Sequence, residues 1–275
     1  MITNLGKEHI RKYLAGEQPQ IARAVSFGVG TTAATATDIR LQFELVRAAL
    51  TLANYDRATG RLVFKAKLPD TLSGKITEVA LWTETAPTGA GSLDIMINGF
   101  AEEDSWSDTP VWSNANSKIG PESLRQIAPA AGTRTNQLSD LLLDLSAYSG
   151  ADLFTFAFYQ SAANAASIKY RFKTDASNYY EITVTNPPLG YRVESVAKST
   201  ATAFGTPRWS DITTIEVITT AKAGVVATVD LDGIGIADGD VRNPNYVMVA
   251  RQVITPFAIA AGSVNEVEYS LAVNV

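Results

Sequence analysis

The chain has 275 residues, 46% of them hydrophobic and 19% charged, a balance that excludes a disordered chain and allows a large core without disulfides or a structural metal. It has no cysteine and one histidine, His9. This excludes disulfide frameworks, thiolate zinc and iron–sulfur sites, cysteine nucleophiles and any site that takes two imidazoles from one chain. A net charge of −5 and a pI near 5.0 give no overall attraction for DNA or anionic lipid, so neither nucleic acid nor membrane insertion is expected.

No stretch reaches the roughly 18 apolar residues of a membrane span. The first residues, Met1-Ile2-Thr3-Asn4-Leu5-Gly6-Lys7-Glu8, lack the basic and apolar regions of a signal peptide, so synthesis and folding in a cytoplasm are expected. The opening reads as a short helix: Thr3 or Asn4 can cap it, Leu5, Ile10, Tyr13 and Leu14 share one face, and Gly16 can stop it. A short amphipathic helix is marginal alone, so those four residues are candidates for a partner contact. His9, set among them, reads as structural or solvated.

After the helix the pattern turns to β. Strands are expected at 21–29, 41–47, 61–68, 75–82 and 93–100, with Pro69 and the turn-rich segment 85–91 as breaks. Residues 106–131, with Pro110, Pro121 and Pro129, read as loop. Then come expected strands at 137–145, 153–159, 167–174, 179–185, 191–199, 211–219 and 225–234. Short strands spaced by roughly 10 to 16 residues, with turns between them, predict a jelly-roll or other β-sandwich. The tail reads as two more strands, 246–254 and 267–273. An isolated hairpin is marginal in water, so these two must pair with the first β region. The expected fold is therefore mainly all-β. Residues 1–104 plus 243–275 form an anchoring module, a small sandwich or barrel with an N-terminal helix, and residues 105–242 form an inserted jelly roll.

Few residues suggest chemistry. Glu102, Glu103 and Asp104 are consecutive, and a glycosidase needs two carboxylates that face each other. Asp230, Asp232, Asp238 and Asp240, mixed with glycines, are candidate Ca²⁺ ligands, although Leu231 and the lack of a closing glutamate break the EF-hand spacing. Gly28-Val29-Gly30 lacks a third glycine and a following long helix, so it is no dinucleotide loop. Ser195 and Ser199 have only His9 as an available imidazole. Tyr179, Tyr191 and Trp209 each adjoin a turn and are the first candidates for stacking on a sugar. No catalytic cluster emerges, and a non-enzyme is expected.

Two stretches carry a resemblance. One is 1–10 with Ala24-Val25-Ser26-Phe27-Gly28-Val29-Gly30, then Leu41-Gln42-Phe43-Glu44-Leu45-Val46-Arg47, Phe64-Lys65-Ala66-Lys67-Leu68-Pro69 and Ile76-Thr77-Glu78-Val79-Ala80-Leu81-Trp82. This order resembles the N-terminal module of tailed-bacteriophage virion proteins of the tail, fibre and minor structural kind. There a short helix precedes a G-x-G loop, a strand with a Glu-x-x-Arg pair and a strand with an acidic position. Glu44 and Arg47 match the pair and Glu78 the acidic position; Ala250-Arg251-Gln252-Val253-Ile254 and Val267-Glu268-Tyr269-Ser270-Leu271 look like the closing strands. On an ideal strand Glu44 and Arg47 lie on opposite faces and are expected to reach different neighbours. The other stretch, Tyr170 to Asp175, Asn178 to Tyr180, Gly205 to Ile212 and Val229 to Ile234, resembles jelly-roll modules of the carbohydrate-binding or concanavalin-like kind.

The resemblance implies a non-enzymatic virion component, made in a host cytoplasm. It would assemble with other virion proteins and with copies of itself in a symmetric oligomer. The alternative is a receptor module that binds a host-surface glycan; a glycan hydrolase is the third reading.

Overall fold

The structure is a computed structural model, and it describes residues 1–84, 95–237, 247–262 and 265–272. In chain order, helix α1 (Asn4–Leu14) precedes strands β1 (Ala24–Gly28), β2 (Glu44–Asp56), β3 (Arg61–Lys67), β4 (Gly74–Trp82), β5 (Ile95–Asn98) and β6 (Val111–Ser113). Next come β7 (Ser123–Ala128), β8 (Thr133–Leu138), β9 (Leu153–Gln160), β10 (Ala165–Lys173), β11 (Tyr179–Thr185) and β12 (Gly190–Ala197). The last are β13 (Thr202–Phe204), β14 (Thr214–Ala221), β15 (Ala227–Ala237), β16 (Met248–Ile259) and β17 (Glu266–Ala272). The chain is mainly β with one α-helix among the described residues, and that helix is too short to cross a membrane. It divides into two compact units, Met1–Thr88 with Asp240–Val275, and Gly89–Gly239.

The first unit is one six-stranded sheet in the order β16-β4-β1-β2-β3-β17, all antiparallel. Its apolar side chains, Phe27, Phe64, Ile76, Leu81, Val249 and Tyr269 among them, form one buried cluster. Helix α1 lies on β16. Thr3 caps it by accepting the Gly6 N–H at 2.8 Å, and the Thr3 N–H donates to the Val249 carbonyl at 3.0 Å. The helix seats through Gly6, where a Cβ would collide with the Val249 backbone. His9 is buried, 3.1 Å from the Gln20 carbonyl through Nε2, which is the structural role expected of it. Of the four residues proposed for a partner contact, Ile10 packs on the unit's own core, while Leu5, Tyr13 and Leu14 stay exposed.

A buried carboxylate holds the loop between β1 and β2. Glu78 on β4 is fully buried and accepts the N–H groups of Gly30 (2.9 Å), Gln42 (3.2 Å) and Phe43 (3.1 Å). The Arg251 guanidinium donates to it through Nε at 3.0 Å and to Asp38 through Nη1 at 2.7 Å. Gly28 and Gly30 have their reason here: a Cβ on Gly30 would lie 2.5 Å from the Glu78 carboxyl carbon, and one on Gly28 would lie 2.8 Å from Oε1.

The expectation for Glu44 and Arg47 is corrected. The β1–β2 register pairs Phe27 with Val46 but Gly28 with Glu44, so Leu45 is an extra residue in a bulge. The bulge turns both side chains to one face. Arg47 donates through Nε and Nη2 to the two Glu44 oxygens, both at 2.9 Å, and its guanidinium lies 3.6 Å from the Trp82 ring centre.

The second unit is a sandwich of two antiparallel sheets, β13-β11-β10-β14-β8 and β12-β9-β15-β7-β6, with β5 pairing to β15. The inward residues alternate, as a strand with one buried face requires. Phe154, Phe156 and Phe158 of β9 face Ile168, Tyr170 and Phe172 of β10, with Phe156 and Tyr170 stacked at 3.9 Å. The Tyr170 hydroxyl is buried without a hydrogen-bond partner, and burial pushes its pKa up. Tyr170→Phe should therefore raise stability by about 1 kcal/mol or more in a urea titration, because an unmade buried hydrogen bond is a standing penalty. A loss of stability would mean the hydroxyl is satisfied.

Several expected elements move. Of the strand expected at 93–100 and placed in the anchoring module, residues 93 and 94 lie outside the described residues, and Ile95–Asn98 forms β5, which belongs to the sandwich through its pairing with β15. The expected loop 106–131 contains β6 and β7. The strand expected at 137–145 ends at Leu138, and β13 was not foreseen.

Candidate functional site

Period-two alternation places Lys169, Arg171 and Lys173 of β10 on the outer face of the five-stranded sheet, opposite to Ile168, Tyr170 and Phe172. The register aligns Arg171 with Glu181 of β11 and Glu216 of β14, Glu181 with Thr202 of β13, and Glu216 with Gln137 of β8. One transverse row, Thr202–Glu181–Arg171–Glu216–Gln137, thus crosses all five strands.

The row is locked by charge-assisted hydrogen bonds. Arg171 donates through Nε to Glu181 at 2.7 Å and through Nη1 to Glu216 at 2.9 Å. Lys169 reaches Glu181 at 2.9 Å and Lys173 reaches Glu216 at 3.3 Å. Each carboxylate therefore has two cationic partners. Burial pushes the Glu181 carboxyl up, but the hydrogen bonds from Lys169 and Arg171 outweigh it and hold the group below the usual carboxylate range. Arg171 is half-buried; its two carboxylate bonds outweigh burial and raise its pKa. The next row pairs Phe204 with Tyr179 and Tyr179 with Lys173. Tyr179 stacks on Phe204 at 4.7 Å between ring centres, and the Arg171 guanidinium sits 4.8 Å from the Tyr179 ring centre. Phe204 is 40% exposed.

Of the three aromatic candidates, the structure puts Tyr179 alone on this face. Tyr191 is buried on the other sheet, with its hydroxyl donating to Asp232 at 2.5 Å and the Lys118 ammonium 4.0 Å from its ring. Trp209 packs beneath the turn after β13. It stacks on Tyr180 at 3.8 Å and lies 5.6 Å from Phe154, with the Lys198 ammonium 5.0 Å away. Neither lies on this face: Tyr191 is buried and Trp209 is half-buried against its own turn. Arg171, Glu181 and Glu216 were not singled out from the sequence, although the Lys-x-Arg-x-Lys alternation at 169–173 is the signal that exposes them.

The calcium candidates meet donors of the wrong kind. Asp230 takes Arg125 on both oxygens, at 2.6 and 2.9 Å, and the Asn116 amide at 2.8 Å. Asp232 is the extra residue of a bulge between Leu231 and Gly233. Its Oδ2 accepts the N–H groups of Lys118 and Ile119, at 2.8 and 3.0 Å, besides the Tyr191 hydroxyl. Calcium needs oxygen ligands, whereas these carboxylates face N–H groups and a guanidinium. Asp238 and Asp240 lie outside the described residues, among which no group of three or more His, Asp or Glu side chains is placed to hold a metal. In the 102–104 segment Glu102 and Glu103 are exposed, and Asp104 is spent on the Asn98 amide and the Ala101 N–H.

No protein-family model matches the sequence, and no curated protein sequence matches it. Among solved structures, the chain is similar to a family 11 carbohydrate-binding module from Clostridium thermocellum in complex with a β-1,3-1,4-mixed-linked tetrasaccharide, at 13% identity and a TM-score of 0.39, over 53% of this chain and 95% of that one. It is also similar to a carbohydrate-binding module of the β-sandwich superfamily, at 14% identity and a TM-score of 0.37, over 78% and 84% of the two chains. A third likeness, to PfGH50B, has 10% identity and a TM-score of 0.37 and covers 49% of this chain; the chain spans 22% of that protein's length. The β-sandwich of this chain stands on the strand order and register described above.

Proposed function

We propose that the second unit is a binding module whose outer five-stranded face holds a glycan. The observation that carries this reading is the locked row Glu181–Arg171–Glu216 beside the Tyr179–Phe204 pair. Sugar hydroxyls both donate and accept, and the row offers carboxylate acceptors and ammonium and guanidinium donors already fixed by one another. The aromatic pair offers an apolar plate for the C–H face of a pyranose. Every charge on the face is paired with an opposite one, three cations to two carboxylates, which suits a polyhydroxyl ligand of little or no charge. A carboxylate held ionised is a poor proton donor, and this supports binding without turnover rather than hydrolysis. The resemblance to virion proteins supplies the setting of the proposal, a glycan-binding face displayed for host attachment.

Affinity electrophoresis through gels that contain plant, algal and bacterial polysaccharides tests the reading. At least one polysaccharide is expected to retard the protein, and Tyr179→Ala is expected to weaken that interaction by about tenfold or more. Free migration in every gel would refute the proposal, as would retardation that Tyr179→Ala leaves unchanged.

A further inference from the structure

The sheet of the first unit ends in β16 and β17. Among the described residues β17 pairs only with β3, and β16 only with β4, apart from a bridge between Ile2 and Ala250 at its start. A flat six-stranded sheet would hold its two ends about 24 Å apart. Here both ends wall a single cleft of ≈ 410 Å³: Ile254 and Phe257 from β16, Val267 and Tyr269 from β17, with Phe27 and Val79 behind them. The sheet therefore curls toward a barrel and stops short of closing. The charged residues that line the gap are two carboxylates, Glu266 and Glu268, the second of which lies 3.6 Å from the Lys65 ammonium of β3.

We propose that this cleft receives an extended segment of another protein, in which apolar residues alternate with lysine or arginine. An unpaired strand edge presents a row of N–H and C=O groups that another strand satisfies, while alternate side chains of that strand enter whatever cavity lies beneath. The cleft is apolar where those side chains would enter, and its acidic wall favours basic residues between them. A small apolar molecule would fill the volume and leave the edge of β17 unpaired.

The test uses the full chain and two fluorescent heptapeptides with blocked ends, one alternating lysine with valine, the other glutamate with valine. By anisotropy the lysine peptide is expected to bind at least about tenfold more tightly than the glutamate peptide. Its addition is expected to slow amide exchange in residues 266–272. Glu266→Lys combined with Glu268→Lys is expected to invert the preference, and Ile254→Lys to weaken the lysine peptide by about tenfold. The proposal is overturned by an absence of saturable binding up to about 1 mM, by equal affinities, or by binding that leaves exchange in β17 unchanged. Self-association that Ile254→Lys abolishes would also overturn it, and would assign the cleft to a second copy.

Discussion

Glu78→Ala is expected to destabilise the first unit by about 3–5 kcal/mol, because it leaves the Arg251 guanidinium buried without its main counter-charge. Three backbone N–H groups, those of Gly30, Gln42 and Phe43, lose their acceptor in the same step. Arg251 keeps Asp38 and the Thr32 carbonyl, which is why the effect stays within that range. Glu78→Gln keeps the shape but turns an NH₂ toward N–H donors, and it should also destabilise, by a smaller amount. A urea titration with amide exchange read in β1 and β4 measures both. A Glu78→Ala protein within about 1 kcal/mol of the wild type would show that solvent or another group replaces the carboxylate.

The second large effect is a dependence on pH. Asp232 is almost wholly buried, and burial pushes its carboxyl up to about 7, against the pull of the Tyr191 hydroxyl and the Lys118 and Ile119 N–H groups. Its second oxygen, Oδ1, has no hydrogen-bond partner. The facing charges are the Lys118 ammonium and, two residues along β15, the Asp230–Arg125 pair. The folded-state pKa is raised, so between the ordinary value of 3.8 and about 7 the folded chain binds more protons than the unfolded one. This group's contribution to stability is therefore full below the ordinary value and is lost as pH rises through about 7. At one proton over that interval, the loss amounts to about 4 kcal/mol at most. Other carboxylates, Asp38 and Glu181 among them, have lowered pKa values and pull the opposite way. The readable quantity is thus the stability of Asp232→Asn minus that of the wild type. It is expected to become more favourable to the variant between about pH 4 and pH 7, the interval over which the folded wild type keeps a proton that its unfolded chain has lost, and to level off above it. A difference that moves the other way would mean that the three donors hold the carboxylate charged.

The same contrast between local and long-range signals explains how much could be read from the sequence. Period-two alternation is local, so β3, β4, β9, β10 and β11 were legible, and the tail strands followed from the need of a hairpin for partners. The edge strands β6 and β13 have three residues each, too few for a period to show, and the prolines of 106–131 made that stretch read as loop. The Glu44–Arg47 pair was misjudged because a bulge adds one residue and reverses the face rule, and the bulge shows only in the register of β2 against β1. Glu78 was noticed only as a position in a motif. Its partners stand at residues 30, 42, 43 and 251, and no local pattern joins them. At the candidate site Tyr179 was legible as an aromatic beside a turn. The same rule also named Trp209, which packs on Tyr180, and Tyr191, whose strand turns it toward Asp232, and neither shares the face of Tyr179. The charged row needed the register of five strands, because its members come from segments up to 79 residues apart, Gln137 to Glu216.

The proposed binding face meets its most direct test on a glycan microarray probed with the whole chain and three variants. Tyr179→Ala and Arg171→Ala alter the five-stranded face, and Ile127→Ala, on a half-exposed residue of β7 in the other sheet, serves as control. The expected result is a defined set of neutral glycans that loses signal by about tenfold or more with the first two and keeps it with the third. An array without signal for the wild type, or a signal that Arg171→Ala and Tyr179→Ala leave untouched, would contradict the assignment.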